Sequence, residues 1–155
     1  MTMAGSLTRI LITPCFYWPG TIWHKSCNCF CIICQTETRM AIETLVEQAC
    51  AAVQLLAPDQ VAKRLDSFLI VDVREPDEVL PGFLPGAINV PRGVLEFRVS
   101  DDQRFANKQA SILLYSNRGR RSALAARCLN ELGYGDVAAL RGGLAAWSSA
   151  GLPIE

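Results

Sequence analysis

The chain has 155 residues, enough for one domain with a substantial core but not for two ordinary ones. Half of them are apolar and 19% charged, so the bulk of the chain is expected to fold. Lys+Arg and Asp+Glu balance at 15 each, which argues against a general nucleic-acid binder; the local cluster of Arg118, Arg120 and Arg121 points instead to a small anion.

The cysteines divide the chain. Cys15, Cys27, Cys29, Cys31 and Cys34 lie within the first 39 residues, and Cys50 and Cys128 in the remainder. The cysteine-poor part shows no disulfide framework and suits a reducing, cytoplasmic setting; export is the alternative if the first segment is a genuine signal. That segment has an apolar stretch, Ile10–Trp18, but Pro14, Pro19-Gly20 and His24-Lys25 interrupt it. A membrane helix needs roughly 18 or more apolar residues in a row, so no membrane partner is expected. Arg9 and the apolar run fit a signal peptide loosely, without a convincing cleavage site. The run Cys27–Cys34 holds soft ligands, yet Cys31-x-x-Cys34 lacks the second, distant pair usual in zinc sites, and no metal is assigned. The favoured expectation is a Cys-rich leader over 1–39, disordered or not native, as from an upstream mis-start or an added segment. Met40 is then the natural initiator, followed by a helix within 40–54 and a domain over 55–155.

In chain order, Ile42–Ala52 has helical periodicity, with Ile42, Leu45, Val46, Ala49 and Val53 on one face and Glu43 or Thr44 near its start. Val53–Leu56 is a short strand or extended link. Pro58–Leu65 is a short helix with proline in its first turn. Phe68–Asp72 is a continuous apolar run, expected of a strand buried on both faces. Pro76–Val79 is a helical turn, Pro81-Gly82 and Pro85-Gly86 are turns, Ala87–Val90 is a strand and Val94–Val99 a helix. Ser111–Tyr115 is a second fully apolar strand. Arg121–Leu132 is a helix closed by Gly133, Val137–Leu140 a last strand, and Leu144–Ala150 a closing helix. Strands alternating with helices imply βαβ units and a mostly parallel sheet covered on both faces.

In such sheets ligands bind beyond the carboxyl ends of the strands. Strand Ile112–Tyr115, loop Ser116-Asn-Arg-Gly-Arg-Arg121 and the helix beginning near Ser122 make that arrangement. Helix-start N–H groups and the helix dipole favour an anion there, Gly119 lets the backbone curl, and three arginines flank the cradle.

The segment Ser111–Ser122 resembles the active-site segment of the rhodanese family: apolar strand, cysteine, two variable residues, glycine, variable residue, arginine, serine. Ile70-Val-Asp-Val-Arg-Glu75, Pro85–Pro91, Leu132-Gly-Tyr134 and Leu140–Trp147 through Gly151-Leu-Pro153 agree in order and spacing over about 100 residues. The resemblance implies a three-layer α/β fold with about five short, mostly parallel strands. It implies a cradle whose backbone amides surround the sulfur on a cysteine, and transfer of sulfane sulfur from thiosulfate or a protein persulfide to a thiophilic acceptor. Related phosphatases carry a seven-residue loop with arginine six positions after the cysteine; here that position is Ser122, which disfavours a phosphatase.

Two departures stand out. Ser116 occupies the nucleophile position, and a serine hydroxyl has neither a thiolate's acidity nor its S–S chemistry. A serine nucleophile needs an adjacent base, and the chain's one histidine is His24, so Ser116 is not expected to be a hydrolase nucleophile. Phe83 stands where many relatives carry histidine. The expected substrate-binding set is Asn117, Arg118, Gly119, Arg120, Arg121 and Ser122. Within it Arg121 either binds an anion or ties the loop to the helix, Arg118 and Arg120 face solvent and steer anions, and Asn117 is a turn residue. Asp72 and Arg74 brace neighbouring loops, Trp147 packs the core, Gly142-Gly143 makes a tight turn, and Cys128 is an inert buried thiol. No cofactor is implied. The expected partners are a small sulfur-containing anion or protein persulfide, with a further protein partner open. Two functions follow: a sulfurtransferase scaffold whose cysteine has been replaced, by design or in the natural gene, or a non-catalytic regulatory module that binds an anion or a protein.

Overall fold

A computed structural model describes residues 32–155, with side chains from residue 41 onward. The readings attached to the Ile10–Trp18 stretch, to the cysteine run and to the leader lie outside the described residues, apart from the backbone of residues 32–39.

The elements are α1 Ile32–Ala52, β1 Gln54–Leu56, α2 Pro58–Ala62, β2 Leu69–Asp72, α3 Pro76–Val79, β3 Ile88–Asn89, α4 Leu95–Asp101, β4 Ser111–Tyr115, α5 Arg120–Glu131, β5 Asp136–Leu140 and α6 Gly143–Ser149, with short 3-10 turns between some of them. All four strand pairings are parallel, in the order β1-β5-β4-β2-β3. The apolar runs explain the central position of β2 and β4: Leu69–Asp72 aligns with Ile112–Tyr115 residue for residue, with both faces covered.

Alternation along each strand divides the core into two layers. Val71, Ile112, Leu114, Val137 and Ala139 face one side, where Leu95 and Val99 of α4 and Ala125, Ala126 and Leu129 of α5 pack on them. Ile70, Leu113, Tyr115, Ala138 and Leu140 face the other, against Val61 of α2 and Trp147 of α6. Trp147 is fully buried and its Nε1–H donates to the Pro153 carbonyl at 2.8 Å, pinning the chain end. The sheet is therefore the middle of three layers.

The expected start of the first helix needs correction. α1 begins at Ile32, not Ile42. No proline or glycine stands between Ile32 and Ile42, so nothing in the chain breaks the helix there. Its expected apolar face is also divided: Ala49 is buried and Val46 half-buried, while Ile42 and Leu45 are 53% and 47% exposed. Among its residues with described side chains, burial increases towards the C-terminal end of the helix.

Candidate functional site

The chain leaves β2 towards β3 on one side and leaves β4 towards β5 on the other, so the sheet order reverses between these two strands. A crevice opens beyond their carboxyl ends at such a point. Asp72, the last residue of β2, is in register with Tyr115, the last of β4, and Ser116 follows immediately.

Ser116 is 1% exposed. The loop turns on Gly119, whose φ of +82° lies in the left-handed region that favours glycine, and α5 begins at Arg120. Arg120, Arg121 and Ser122 occupy the first turn of α5, where N–H groups have no partner within the helix. The Ser122 N–H lies 3.4 Å from Ser116 Oγ, so the hydroxyl sits on the floor of the cradle at the helix start. The Ser122 side chain is buried and donates to the Gly119 carbonyl at 3.0 Å, which closes the turn from within.

The loop's own carbonyls are held from behind. The Leu144 N–H donates to the Ser116 carbonyl at 2.9 Å and the Ala145 N–H to that of Asn117 at 3.0 Å. These donors lie in the first turn of α6, so two of its orphan N–H groups are satisfied by the loop. The approach is close enough to demand glycine: a Cβ on Gly143 would stand 2.1 Å from the Ser116 carbonyl oxygen and 2.7 Å from the Gly119 nitrogen. The Gly142-Gly143 pair is thus both a turn and a seat for the loop.

Arg121 is occupied by a residue the sequence did not single out. Its Nη1 and Nη2 donate to Glu78 Oε2 and Oε1, both at 2.6 Å, across 43 residues of chain. Glu78 Oε2 also accepts the Glu75 N–H at 3.0 Å, capping the start of α3. Hydrogen bonds from Arg121, with the Glu75 N–H second, hold the Glu78 carboxyl down at about 2. Arg121 therefore ties the loop to α3, and of the two readings of this residue neither had named that partner.

Below this bridge lies a buried ion pair. Arg74 Nη2 is 2.6 Å from Asp72 Oδ2, and the same guanidinium donates to the Glu78 carbonyl at 2.7 Å and the Gly82 carbonyl at 2.8 Å. Asn89 Nδ2 donates to the carbonyls of Asp72 and Arg74 at 3.0 and 2.9 Å, tying β3 to the same corner. Tyr115 Oη accepts the Leu84 N–H at 3.1 Å, and burial raises the Tyr115 phenol well above its ordinary value. Asp72, Arg74 and Tyr115 thus join β2, β4 and the segment from Glu78 to Leu84. Phe83 pairs with the chain end, its backbone exchanging hydrogen bonds with Glu155 at 2.9 Å in both directions.

Asn117, Arg118 and Arg120 are exposed at the mouth. With Ser116 and Arg121, with Ile42 and Val46 of α1 and with Leu124 of α5, they line a cleft of about 390 Å3. Cys128 is half-buried rather than fully buried. Its Sγ–H donates to Glu96 Oε1 at 3.0 Å; burial, reinforced by that carboxylate, pushes the thiol up to about 11. Among the described residues no cluster of three His, Cys, Asp or Glu is placed to hold a metal, and no helix is long and apolar enough to cross a membrane.

Comparison with known proteins agrees with this fold. The chain is 37% identical over 89 residues to a sulfurtransferase of Allochromatium vinosum, covering 57% of this chain and 79% of that protein. It is 31% identical over 83 residues to the putative sulfur carrier protein YrkF of Bacillus subtilis, spanning 54% of this chain and 43% of that one. Among solved structures, a Rhodopseudomonas palustris protein of unknown function, described as a possible tyrosine phosphatase, superposes with a TM-score of 0.66 at 32% identity, covering 74% of this chain and 93% of the other. Thiosulfate sulfurtransferase of Pseudomonas aeruginosa gives 0.64 at 31% identity, over 72% of this chain and 21% of that one. The family model described as the rhodanese-like domain matches residues 57–150, from the start of α2 to the end of α6, and the chain belongs to that family.

Proposed function

We propose that this chain is a rhodanese-type sulfurtransferase scaffold, built to hold a sulfur-bearing anion and silent in sulfur transfer because Ser116 stands at the nucleophile position. The observation that carries this reading is the placement of Ser116 Oγ on the floor of the cradle, facing the first turn of α5. A thiolate at that point attacks the outer sulfur of thiosulfate. The new S–S bond forms as the old one breaks, sulfite leaves with the electron pair, and the persulfide anion stays at the helix start, where positive dipole charge favours it. An acceptor then takes the outer sulfur and restores the thiolate.

A hydroxyl does neither step. It remains protonated near neutral pH, and among the described residues no carboxylate, lysine or histidine is hydrogen-bonded to Ser116 Oγ to act as its base. The loop residues have separate parts in this reading: Arg118 and Arg120 attract the anion, the amides of the first helical turn hold it, and Arg121 with Glu78 keeps the cradle in place. A phosphatase reading has less support, because the sixth position after Ser116 holds a buried serine, Ser122, instead of a phosphate-binding arginine. The free thiols of Cys50 and Cys128 suit a reducing compartment.

The test is the Ser116→Cys variant beside the chain as it stands, assayed with thiosulfate and cyanide and examined by intact mass. Turnover together with one added sulfur on the variant, and neither on the parent, supports the scaffold reading. A folded variant that gains neither overturns it in favour of the non-catalytic anion- or partner-binding module.

A further inference from the structure

Resting on the reading of the Ser116–Arg121 loop as an anion cradle, we propose that the neighbouring cleft takes an amphiphilic anion. A sulfonate or thiosulfonate head sits at the loop, and an alkyl or aryl body lies against Ile42, Val46 and Leu124.

Size is the first observation. The cleft measures about 390 Å3, within the range of pockets for organic ligands. An inorganic oxyanion occupies on the order of 100 Å3, a few water volumes, and leaves most of that space unfilled. The second is the mixed chemistry of the lining. Ile42 and Val46 are one helical turn apart on α1, and Leu124 stands one turn beyond Arg120 on α5, so three apolar side chains from two helices face the same space. The exposed cations Arg118 and Arg120 line the same cleft, Arg120 one turn from Leu124 on α5. Cations and aliphatic groups lining one cleft are the complement of an anion with an apolar tail.

The third observation is where the wall comes from. The family match begins at residue 57, so α1, which ends at Ala52, lies outside it. α1 packs against α5, the helix that the loop opens, and contributes the outer side of the cleft. An Ile42 left 53% exposed beside a cationic loop is then a ligand contact.

The chain as it stands allows an equilibrium measurement, since no sulfur turnover accompanies binding. Calorimetric titration with thiosulfate and with n-alkylsulfonates from methane- to hexanesulfonate reads the two parts separately. The expected result is affinity rising by up to about fourfold per methylene, the equivalent of roughly 0.8 kcal/mol of apolar burial, until the wall is covered. Ile42→Asn and Val46→Asn should flatten that rise. Phe97→Asn, at an apolar residue of α4 that is 74% exposed and outside the cleft, should leave it unchanged. If thiosulfate binds but affinity is flat with chain length, the cradle stands and the amphiphile is overturned; a rise unaffected by the α1 variants overturns it equally. If neither thiosulfate nor any sulfonate binds the folded protein, the cradle reading itself has failed.

Discussion

Gly143→Ala should cost this protein more than a methyl group ordinarily does, because the added Cβ meets the backbone of the candidate site. Gly143 has a φ of +63°, and the built Cβ lies 2.1 Å from the Ser116 carbonyl oxygen, 2.7 Å from the Gly119 nitrogen and 2.8 Å from the Asn117 carbonyl carbon. The left-handed backbone alone costs a residue with a Cβ about 1–2 kcal/mol. Forcing the loop and α6 apart adds about 1–3 kcal/mol of overpacking and strain. The sum, about 2–5 kcal/mol, is a large part of an ordinary domain's stability of about 5–15 kcal/mol. Gly86→Ala is the internal control: its φ is +71°, and a Cβ there meets nothing within 4 Å, so it should lose only the backbone part. Urea unfolding of both variants, compared at equal m-values, isolates the clash as the difference between them. Equal losses would refute the account in which α6 seats the loop through Gly143.

Asp72→Asn should destabilise the fold by about 3–5 kcal/mol in urea unfolding, since it leaves the buried Arg74 guanidinium without its counter-charge. Tyr115→Phe should cost about 1–3 kcal/mol by thermal unfolding, because the buried Leu84 N–H loses its acceptor. Glu78 is held at about 2 in the fold against an ordinary 4.5, so its bridge to Arg121 contributes fully above about pH 4.5, and that contribution is lost as pH falls towards 2. Glu78→Gln should therefore flatten the acid limb of a stability–pH curve over that window. The bridge is partly solvent-exposed, so the loss at neutral pH should be about 1 kcal/mol or less.

Much of the fold was legible because the elements that build it are local and strongly patterned. The runs Leu69–Asp72 and Ser111–Tyr115 are too short and too uniformly apolar to be surface helices, and both proved to be central parallel strands. The turn to α5 was legible in Gly119, and the end of α5 in Gly133, whose φ is +88°. What escaped was long-range. Glu78 reads in sequence as one acidic residue in a short turn, and only the fold brings it to Arg121, 43 residues on. The donors from α6 to the loop are backbone groups with no side-chain signature, although two adjacent glycines just before Leu144 hinted at a close approach. The exposure of the outer part of α1 was not legible for a different reason. Helical spacing puts Ile42 and Leu45 on one face with Val46 and Ala49, but periodicity reports which residues share a face and not whether anything lies against it.

The cradle's geometry is independent of the atom at its centre. Its carbonyls are fixed by α6, its turn by Ser122 and Gly119, its arginine by Glu78, and the strand ends beneath it by Arg74, Asp72 and Tyr115. None of these contacts uses Ser116 Oγ, whose hydrogen bond from Ser122 is long at 3.4 Å. Exchanging oxygen for sulfur there changes reactivity while disturbing little of the support. That independence is the physical reason to look first for a persulfide on the Ser116→Cys variant, and only then for a function that never involved one.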